Sequence, residues 1–373
     1  MNILIFSWRG PGHPNAGGAE IVTHEYAKAW VKAGHSVTLF TSFFPGAKAE
    51  EEIDGVRITR KGNDFVGVRL NAVRWYLGLK NKPDLVFDHF HGIPFFTPLF
   101  VGQKKVAFIH EVAKEVWWMN SLAFPFNFLY ALIGYFTEPF IFRLFYRNIL
   151  FVTVSESTRD DLNKWGIKKV TVIHNGIRLP KSEIRNQKSE TKTAIYLGAL
   201  SKDKGIEDTL RAFALINRSE RDWQFWVVGR GDLYCLNNLK LKIKNLKLQG
   251  KIKFWGYVDE SKKFELLARS WVMINPSVRE GWGLVNIEAN LMGTPVVGYD
   301  VPGIRDSVQD GKTGLLSKFG DYRSLADNAL ELGKNRDLYE TLKKNAINWS
   351  KKFSWKKSGR ESLKLIANLC QKK

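Results

Sequence analysis

The chain is short of cysteine and short of acid, and each shortage excludes something. Two cysteines in 373 residues, Cys235 and Cys370, cannot make a disulfide framework. The fold must therefore rest on buried apolar surface, and a reducing compartment suits it. Acidic residues number 37 against 57 basic ones, a formal charge of +20. That balance points to anionic partners: nucleic acid, an anionic membrane surface or a phosphorylated substrate. No Cys/His/Asp spacing has the pattern of a metal site. The glycine turn near the start lacks the G-x-G-x-x-G spacing of a dinucleotide fingerprint. Met1 to Phe6 has no basic leader and is too short for a signal h-region, which gives the expectation of a cytoplasmic protein.

What is present is a pattern of apolar runs and glycine turns that occurs twice, and the length suits two domains. Ile3–Trp8 reads as a strand, followed by the loop Arg9–Ala16. Gly17-Gly18-Ala19-Glu20 opens a helix to about Lys32, and Val37–Thr41 is the next strand. This order is a Rossmann-like opening, an α/β signature. Gly17 and Gly18 suit either simple helix capping or close approach of a ligand. Further strands are expected at Leu85–Phe87 and Val106–Ile109. His110-Glu111 leaves the carboxyl end of the second, where an open α/β sheet has its ligand crevice. His89 and His91 sit similarly, whereas His13 is expected at the surface.

Val116–Thr137 carries no charge and is crowded with aromatics, with Arg143 and Arg147 close behind it. Asn120, Pro125, Asn127 and Gly134 are expected to interrupt it. Three readings stay open: docking at a bilayer interface, a helical pair buried on the sheet, or a membrane span. Phe151–Ser155 is another strand, Ser155 caps a helix to Trp165, and Val170–Ile173 follows. Leu179–Lys192 is polar and charged, as a linker would be.

The pattern then restarts. Ala194–Gly198 is a strand, Ser201–Gly205 a turn carrying Lys204, and Ile206–Asn217 a helix. Phe225–Val228 ends in Gly229-Arg230-Gly231. Later, Trp271–Ile274 reads as a buried strand, Gly281 and Gly283 bracket a turn, and Leu284–Met292 has helical spacing. Pro295–Tyr299 is the next strand. The backbone N–H groups of Gly283, Leu284 and Val285 head that helix, where the dipole favours an anion. Glu280 and Glu288 flank the unit and cannot both be caps. Carboxylates there suit the vicinal hydroxyls of a sugar; the alternative is an ordinary crossover with two solvated glutamates.

The run E-G-W-G-L-V-N-I-E resembles the E-x7-E signature of family 4 of the retaining GT-B glycosyltransferases, the glycosyl transferases group 1. Trp282 stands where phenylalanine is usual. The runs A-N-L-M-G-T-P-V-V-G-Y-D and G-I-R-D-S-V-Q-D-G-K-T-G-L-L also fit, as does His174-Asn-Gly-Ile177, so the resemblance covers nearly the whole chain. It implies two Rossmann-like domains facing across a cleft: an acceptor domain 1–178, a linker 179–192 and a donor domain 193–353. A final helix, 354–373, would cross back to the first domain.

The resemblance also implies transfer of a hexose from a nucleoside diphosphate sugar, with retention, no metal and no cofactor. Glu288 would bind the ribose hydroxyls, Glu280 and His110 the transferred sugar, and Lys204 and the turn Gly281–Val285 the diphosphate. Gly17 and Gly18 would lie over the donor phosphates. The family's arginine position is Ala199 here, and Lys202, Arg230 or Arg279 would have to replace its charge. The aromatic segment suggests a lipid-linked saccharide acceptor and peripheral docking on the inner face of the membrane. A nucleotide-sugar epimerase of the same fold is the alternative enzyme. A nucleic-acid partner is disfavoured because the basic residues are spread over both halves with no aromatic-interleaved stripe.

Overall fold

The apolar run that opens each half becomes a central strand of its own parallel sheet. The computed structural model describes residues 1–120, 122–178 and 188–371. The chain divides into two units, Met1–Gly176 with Ser354–Lys373, and Ile177–Phe353. Most of the expected linker, residues 179–187, and the end of the tail, 372–373, lie outside the described residues.

In the first unit the strands are β1 (Asn2–Ser7), β2 (Ser36–Thr41), β3 (Glu50–Ile53), β4 (Val56–Arg60), β5 (Leu85–Phe90), β6 (Lys104–Ile109), β7 (Leu150–Thr153) and β8 (Val170–Val172). Its first helices are α1 (Gly18–Lys32), α2 (Val66–Leu77), α3 (Phe126–Ile141) and α4 (Glu156–Lys164). The sheet order is β3-β4-β2-β1-β5-β6-β7-β8. All pairs are parallel except the β3–β4 hairpin. Strand order reverses between β1 and β5, where a doubly wound sheet has its ligand crevice.

Right-handed crossovers decide which helix covers which face. Alternate residues of β5 settle it. Val86 packs with Leu4, Phe6 and the α2 residues Val68, Ala72 and Tyr76. Phe90, two pleats on, packs with Phe142, Tyr146 and Leu162, so α2, α3 and α4 share one face. Phe87 points the other way, its ring 4.6 Å from Trp30 of α1.

The second unit holds β9 (Thr193–Leu197), β10 (Gln224–Val228), β11 (Ile252–Gly256), β12 (Val272–Asn275), β13 (Val296–Tyr299) and β14 (Gly314–Ser317). Its helices are α5 (Ile206–Ser219), α6 (Leu233–Asn245), α7 (Glu260–Arg269), α8 (Leu284–Leu291), α9 (Ile304–Ser307), α10 (Tyr322–Lys334) and α11 (Arg336–Ser350). The six strands run β11-β10-β9-β12-β13-β14, all parallel, so order reverses between β9 and β12. Residues 188 and 189 are already fastened to this unit: Lys188 donates to Ser270 O at 2.7 Å, and Ser189 N to Arg269 O at 2.9 Å.

The last helix, α12 (Trp355–Gln371), belongs to the first unit. It lies along α1, where the Trp30 indole donates to Ser362 Oγ at 2.9 Å. A Cβ on Gly359 would come 2.8 Å from the Ala29 methyl, so glycine permits the close crossing.

Two expectations are corrected. The aromatic segment is a 3₁₀ turn, Lys114–Met119, followed by a helix that Asn127 and Gly134 do not interrupt. Gly134 serves packing instead: a Cβ there would stand 2.3 Å from Trp117 Cδ2. The helix passes Pro139 and widens into a π-turn over Phe142–Tyr146. Second, His13 is buried, its ring edge-on to Phe44 at 5.2 Å while Nδ1 accepts from Asn15 N at 3.1 Å. Apart from these, a small cluster of cations and rings joins β10, β11 and α7. Lys253 Nζ lies 3.7 Å above the Trp255 ring, Lys262 reaches the same ring, and Arg269 lies over Trp226. Period-two alternation puts Lys253 and Trp255 on one side of β11, a pairing that residue counts along the chain do not display.

Candidate active site

Two loops leave the carboxyl ends of β9 and β12 and lock together as one platform. Lys204, on the first, donates to Glu280 Oε1 at 2.8 Å on the second. Ser277 Oγ donates to the same oxygen at 2.9 Å, and Val278 N donates to Asp203 O at 2.8 Å. Gly205 makes the approach possible. Its φ is +70°, and a Cβ would lie 2.1 Å from Pro276 O, so any side chain there forces the loops apart.

The start of α8 is fixed from behind. Asn275 Nδ2 donates to Asn286 Oδ1 at 2.7 Å, and Asn286 Nδ2 to Ser307 Oγ at 2.9 Å, all of it buried. Gly283, at φ +72°, turns the chain into the helix, and no side chain caps it. The first N–H groups of α8 therefore head a rigid turn of the kind that binds anions. One and a half turns further in, Glu288 accepts from Lys263 Nζ at 2.5 Å. Burial raises the Glu288 carboxyl above its usual range, and Lys263 pulls against that rise. Both glutamates are thus ion-paired and partly buried, which removes the reading of two solvated glutamates on an ordinary crossover. Lys263, Ser277, Asn286 and Ser307 were not legible as site residues; Asn286 gave the only hint, as a weak helix former inside a short helix.

The structure places the three replacements for the family arginine differently. Lys202 is exposed, and Arg279 is 3% exposed. Arg230 is beside the Ala199 turn: its carbonyl accepts from Leu200 N at 2.7 Å, and its guanidinium lies 3.9 Å over the Tyr257 ring. Trp282 is buried, with its ring 5.0 Å from Phe353.

In the first unit His110 follows β6, and His89 is the penultimate residue of β5. Their rings sit edge to face at 5.1 Å. His89 Nδ1 is 2.9 Å from Ser7 Oγ and 3.2 Å from Thr23 Oγ1. Burial, helped by His91, pushes the His89 imidazole down to about 3. Burial, and then His89 and His91, hold His110 well below its usual value. Both are neutral near pH 7. His110 Nε2 is buried without a hydrogen-bond partner among the described residues. Such a group is costly unless something engages it. At the head of α1, Gly17 N donates to Glu20 Oε2 at 2.7 Å, so Glu20 supplies the cap and Gly18 begins the helix. Among the described residues no group of three His, Cys, Asp or Glu side chains is placed to hold a metal.

Residues 16–180 match the family model described as Glycosyltransferase Family 4, and residues 179–349 the model described as Glycosyl transferases group 1. The chain belongs to the family 4 glycosyltransferases. This family 4 chain is 35% identical over 166 residues to N-acetyl-alpha-D-glucosaminyl L-malate synthase of Bacillus anthracis, covering 44% of the chain and 42% of that protein. It is 30% identical over 209 residues to an uncharacterized glycosyltransferase of Methanocaldococcus jannaschii, covering 55% and 56%. With phosphatidyl-myo-inositol mannosyltransferase of Mycobacterium leprae the identity is 31% over 166 residues, covering 44% and 43%. The match thus spans about half the length of these relatives. Solved structures show the fold. Sucrose-phosphate synthase from Thermosynechococcus elongatus has a TM-score of 0.83 at 20% identity, covering 99% of this chain and 98% of that one. Anabaena HepE in complex with UDP-glucose has a TM-score of 0.73 at 18% identity, covering 99% and 100%. The two parallel-sheet units are those of the GT-B fold.

Proposed function

We propose that this protein is a retaining glycosyltransferase that moves a hexose from a nucleoside diphosphate sugar to a hydroxyl of a lipid-linked saccharide, working peripherally on the cytoplasmic face of a membrane. The observation that carries the reading is the platform joining Lys204, Glu280 and the uncapped start of α8. An ammonium and a row of helix N–H groups stabilise the charge that grows on a departing diphosphate, without a metal. Glu280 and Glu288 accept hydroxyl hydrogen bonds from the transferred sugar and the ribose. In same-face transfer the acceptor oxygen bonds the anomeric carbon as the phosphate oxygen leaves, and the hydroxyl proton passes to that oxygen. The likeness to a fold crystallised with UDP-glucose supports a nucleotide-sugar donor.

The lipid-linked acceptor rests on α3. The helix from Phe126 to Tyr146 is 21 residues long, with mean hydropathy 1.3, and only 22% of its apolar window is buried. Phe126, Leu129, Ile133, Phe136, Phe140 and Leu144 form one stripe, and each is more than half exposed. The opposite side is committed to the core. Glu138, buried, accepts from Ala113 N, Lys114 N and Trp117 Nε1 at 2.8 to 3.1 Å. Commitment of one side to the core supports docking at an interface over spanning it. The similarity to a phosphatidyl-myo-inositol mannosyltransferase supports the same class of acceptor.

The test is incubation with a panel of nucleotide sugars and membrane lipid extract, following free nucleoside diphosphate and the anomeric proton of the product. Nucleoside diphosphate release with the donor's anomeric configuration kept is the expected result. Conversion of the donor into its epimer would make the protein an epimerase, and an inverted product would overturn retention.

A further inference from the structure

We infer that α2 is a second membrane-contacting helix, so that the surface meeting the bilayer is the α2–α3 layer and not α3 alone. The inference rests on the membrane reading above. Helix α2 and the π-turn that ends the α3 helix lie on the same face of the first sheet, and one loop bridges them. Arg69 of α2 donates to Ile93 O at 2.6 Å and to Pro94 O at 3.2 Å. The same loop then sets Phe96 edge-on to Phe145 at 5.5 Å, in the π-turn that ends the α3 helix. Buried Asp88 ties the two together, accepting from Thr97 Oγ1 at 2.7 Å and from Tyr146 OH at 2.5 Å.

The outer side of α2 is not built for water. A helix lying on a sheet normally turns polar residues outward. Here the inward residues Val68, Ala72 and Tyr76 are apolar, and so are the outward Val66, Leu70 and Leu77, with Arg74 the one exposed charge among them. Those three, with Phe65 just before them, are each more than half exposed. Leu99, between the two helices in sequence, is exposed as well. The charges agree. Over residues 66–77 and 126–147 the only acidic residue is Glu138, which is buried, while Arg74, Arg143 and Arg147 are exposed.

The neighbouring helix on the same face, α4, shows what the water-facing alternative looks like. Its outward residues Glu156, Arg159, Asp160 and Lys164 carry both signs. The occupant that fits α2 and α3 is therefore an anionic phospholipid bilayer, with apolar stripes at the acyl boundary and arginines at the phosphates. One helix can roll about its own axis on a surface. Two stripes carried on one unit give two lines of contact, so the pair fixes how the first unit stands on the membrane.

The test places single cysteines in a chain whose Cys235 and Cys370 are replaced by serine. Leu70→Cys, Phe136→Cys and Leu241→Cys are each labelled with an environment-sensitive fluorophore and mixed with vesicles of phosphatidylcholine and phosphatidylglycerol. Emission should rise severalfold at positions 70 and 136, fall again in high salt, and stay unchanged at 241, which is exposed on the second unit. Hydrogen exchange on the unaltered chain should slow over residues 65–77 when vesicles are added, which guards against a label that disturbs the helix. A response at 136 with none at 70, and no slowing over 65–77, overturns the two-helix surface while leaving the membrane reading standing. Silence at both positions overturns both. A rise at 70 that follows protein concentration without vesicles would assign the face to a second copy of the chain.

Discussion

The Lys204 ammonium meets the Glu280 carboxylate at 2.8 Å, although the two residues leave different strands and are 76 positions apart. The pair joins the lysine turn after β9 to the glycine-bracketed turn after β12. It holds a cation at the mouth of the uncapped α8 helix without spending that cation on the core. In the reaction proposed above, the diphosphate shares the ammonium and a sugar hydroxyl takes up the carboxylate.

Replacing that ammonium should be felt in transfer and not in folding. Lys204→Ala is expected to lower kcat/KM for the nucleotide sugar by roughly ten- to a thousandfold, the range for losing one charge-assisted contact in the transition state. Circular dichroism should be unchanged. Near-normal turnover would take the platform out of the donor site.

Arg230 should supply the charge missing at Ala199. Its backbone bond to Leu200 N places it beside that turn, and its guanidinium rests on an exposed aromatic ring. Arg230→Ala should weaken donor binding by about tenfold, as loss of one partly solvated cation contact would. Adding Ala199→Arg to that variant should restore most of it. Titration calorimetry with the nucleoside diphosphate reads both. If the double variant binds no better than Arg230→Ala, the cation comes from elsewhere.

His89 should make the protein sensitive to acid. Its folded value is pushed down to about 3, against 6.5 for the exposed group. A depressed value means that the unfolded chain takes up the proton first. Stability is therefore full above pH 6.5 and is lost as pH falls towards 3. Between pH 7.5 and pH 5.0 this one group costs about 2 kcal/mol. Urea unfolding of wild type and His89→Gln at those two values checks it: the variant should lose less on acidification. Equal losses would mean that His89 is charged in the folded state.

Flotation with anionic vesicles should separate the two sides of α3. Ile133→Asp with Phe136→Asp alters only the outer stripe and should leave the protein in the soluble fraction. Trp117 is a poor probe despite its ring, because it packs on Gly134 and its indole donates to Glu138. Replacing it should lower stability before it changes membrane binding. Soluble wild-type protein at low salt would reassign the stripe and remove support for the lipid acceptor.

Much of the architecture was legible because strands buried on both faces read as continuous apolar runs, and because Ser155 caps its helix in the expected register. The β3–β4 hairpin escaped because Glu50 to Glu52 form an edge strand with no apolar residue before Ile53. Helix α2 escaped for the opposite reason, being apolar on both sides. Glycines carried most of the ambiguity. Gly134 looked like a breaker and proved to be a seat for Trp117, while Gly205 looked like a turn and proved to be the point where two loops touch. The glutamates at the site could be named from spacing, but Lys204 against Glu280 and Lys263 against Glu288 arise from the fold of the loops. No count along the chain pairs them.

The position of α12 has a bearing on how the chain is made. Trp30 waits for Ser362, 332 residues downstream, before its indole finds a partner. The body of the first unit leaves the ribosome before the second, yet its α1 flank stays open while the whole second unit is synthesised. The second unit is one continuous stretch and can close at once. Birth order and completion order are thus reversed here, against the usual N-terminal-first course of multidomain folding. During that interval the bare side of α1 joins the α2–α3 layer as surface that a chaperone or a membrane can cover.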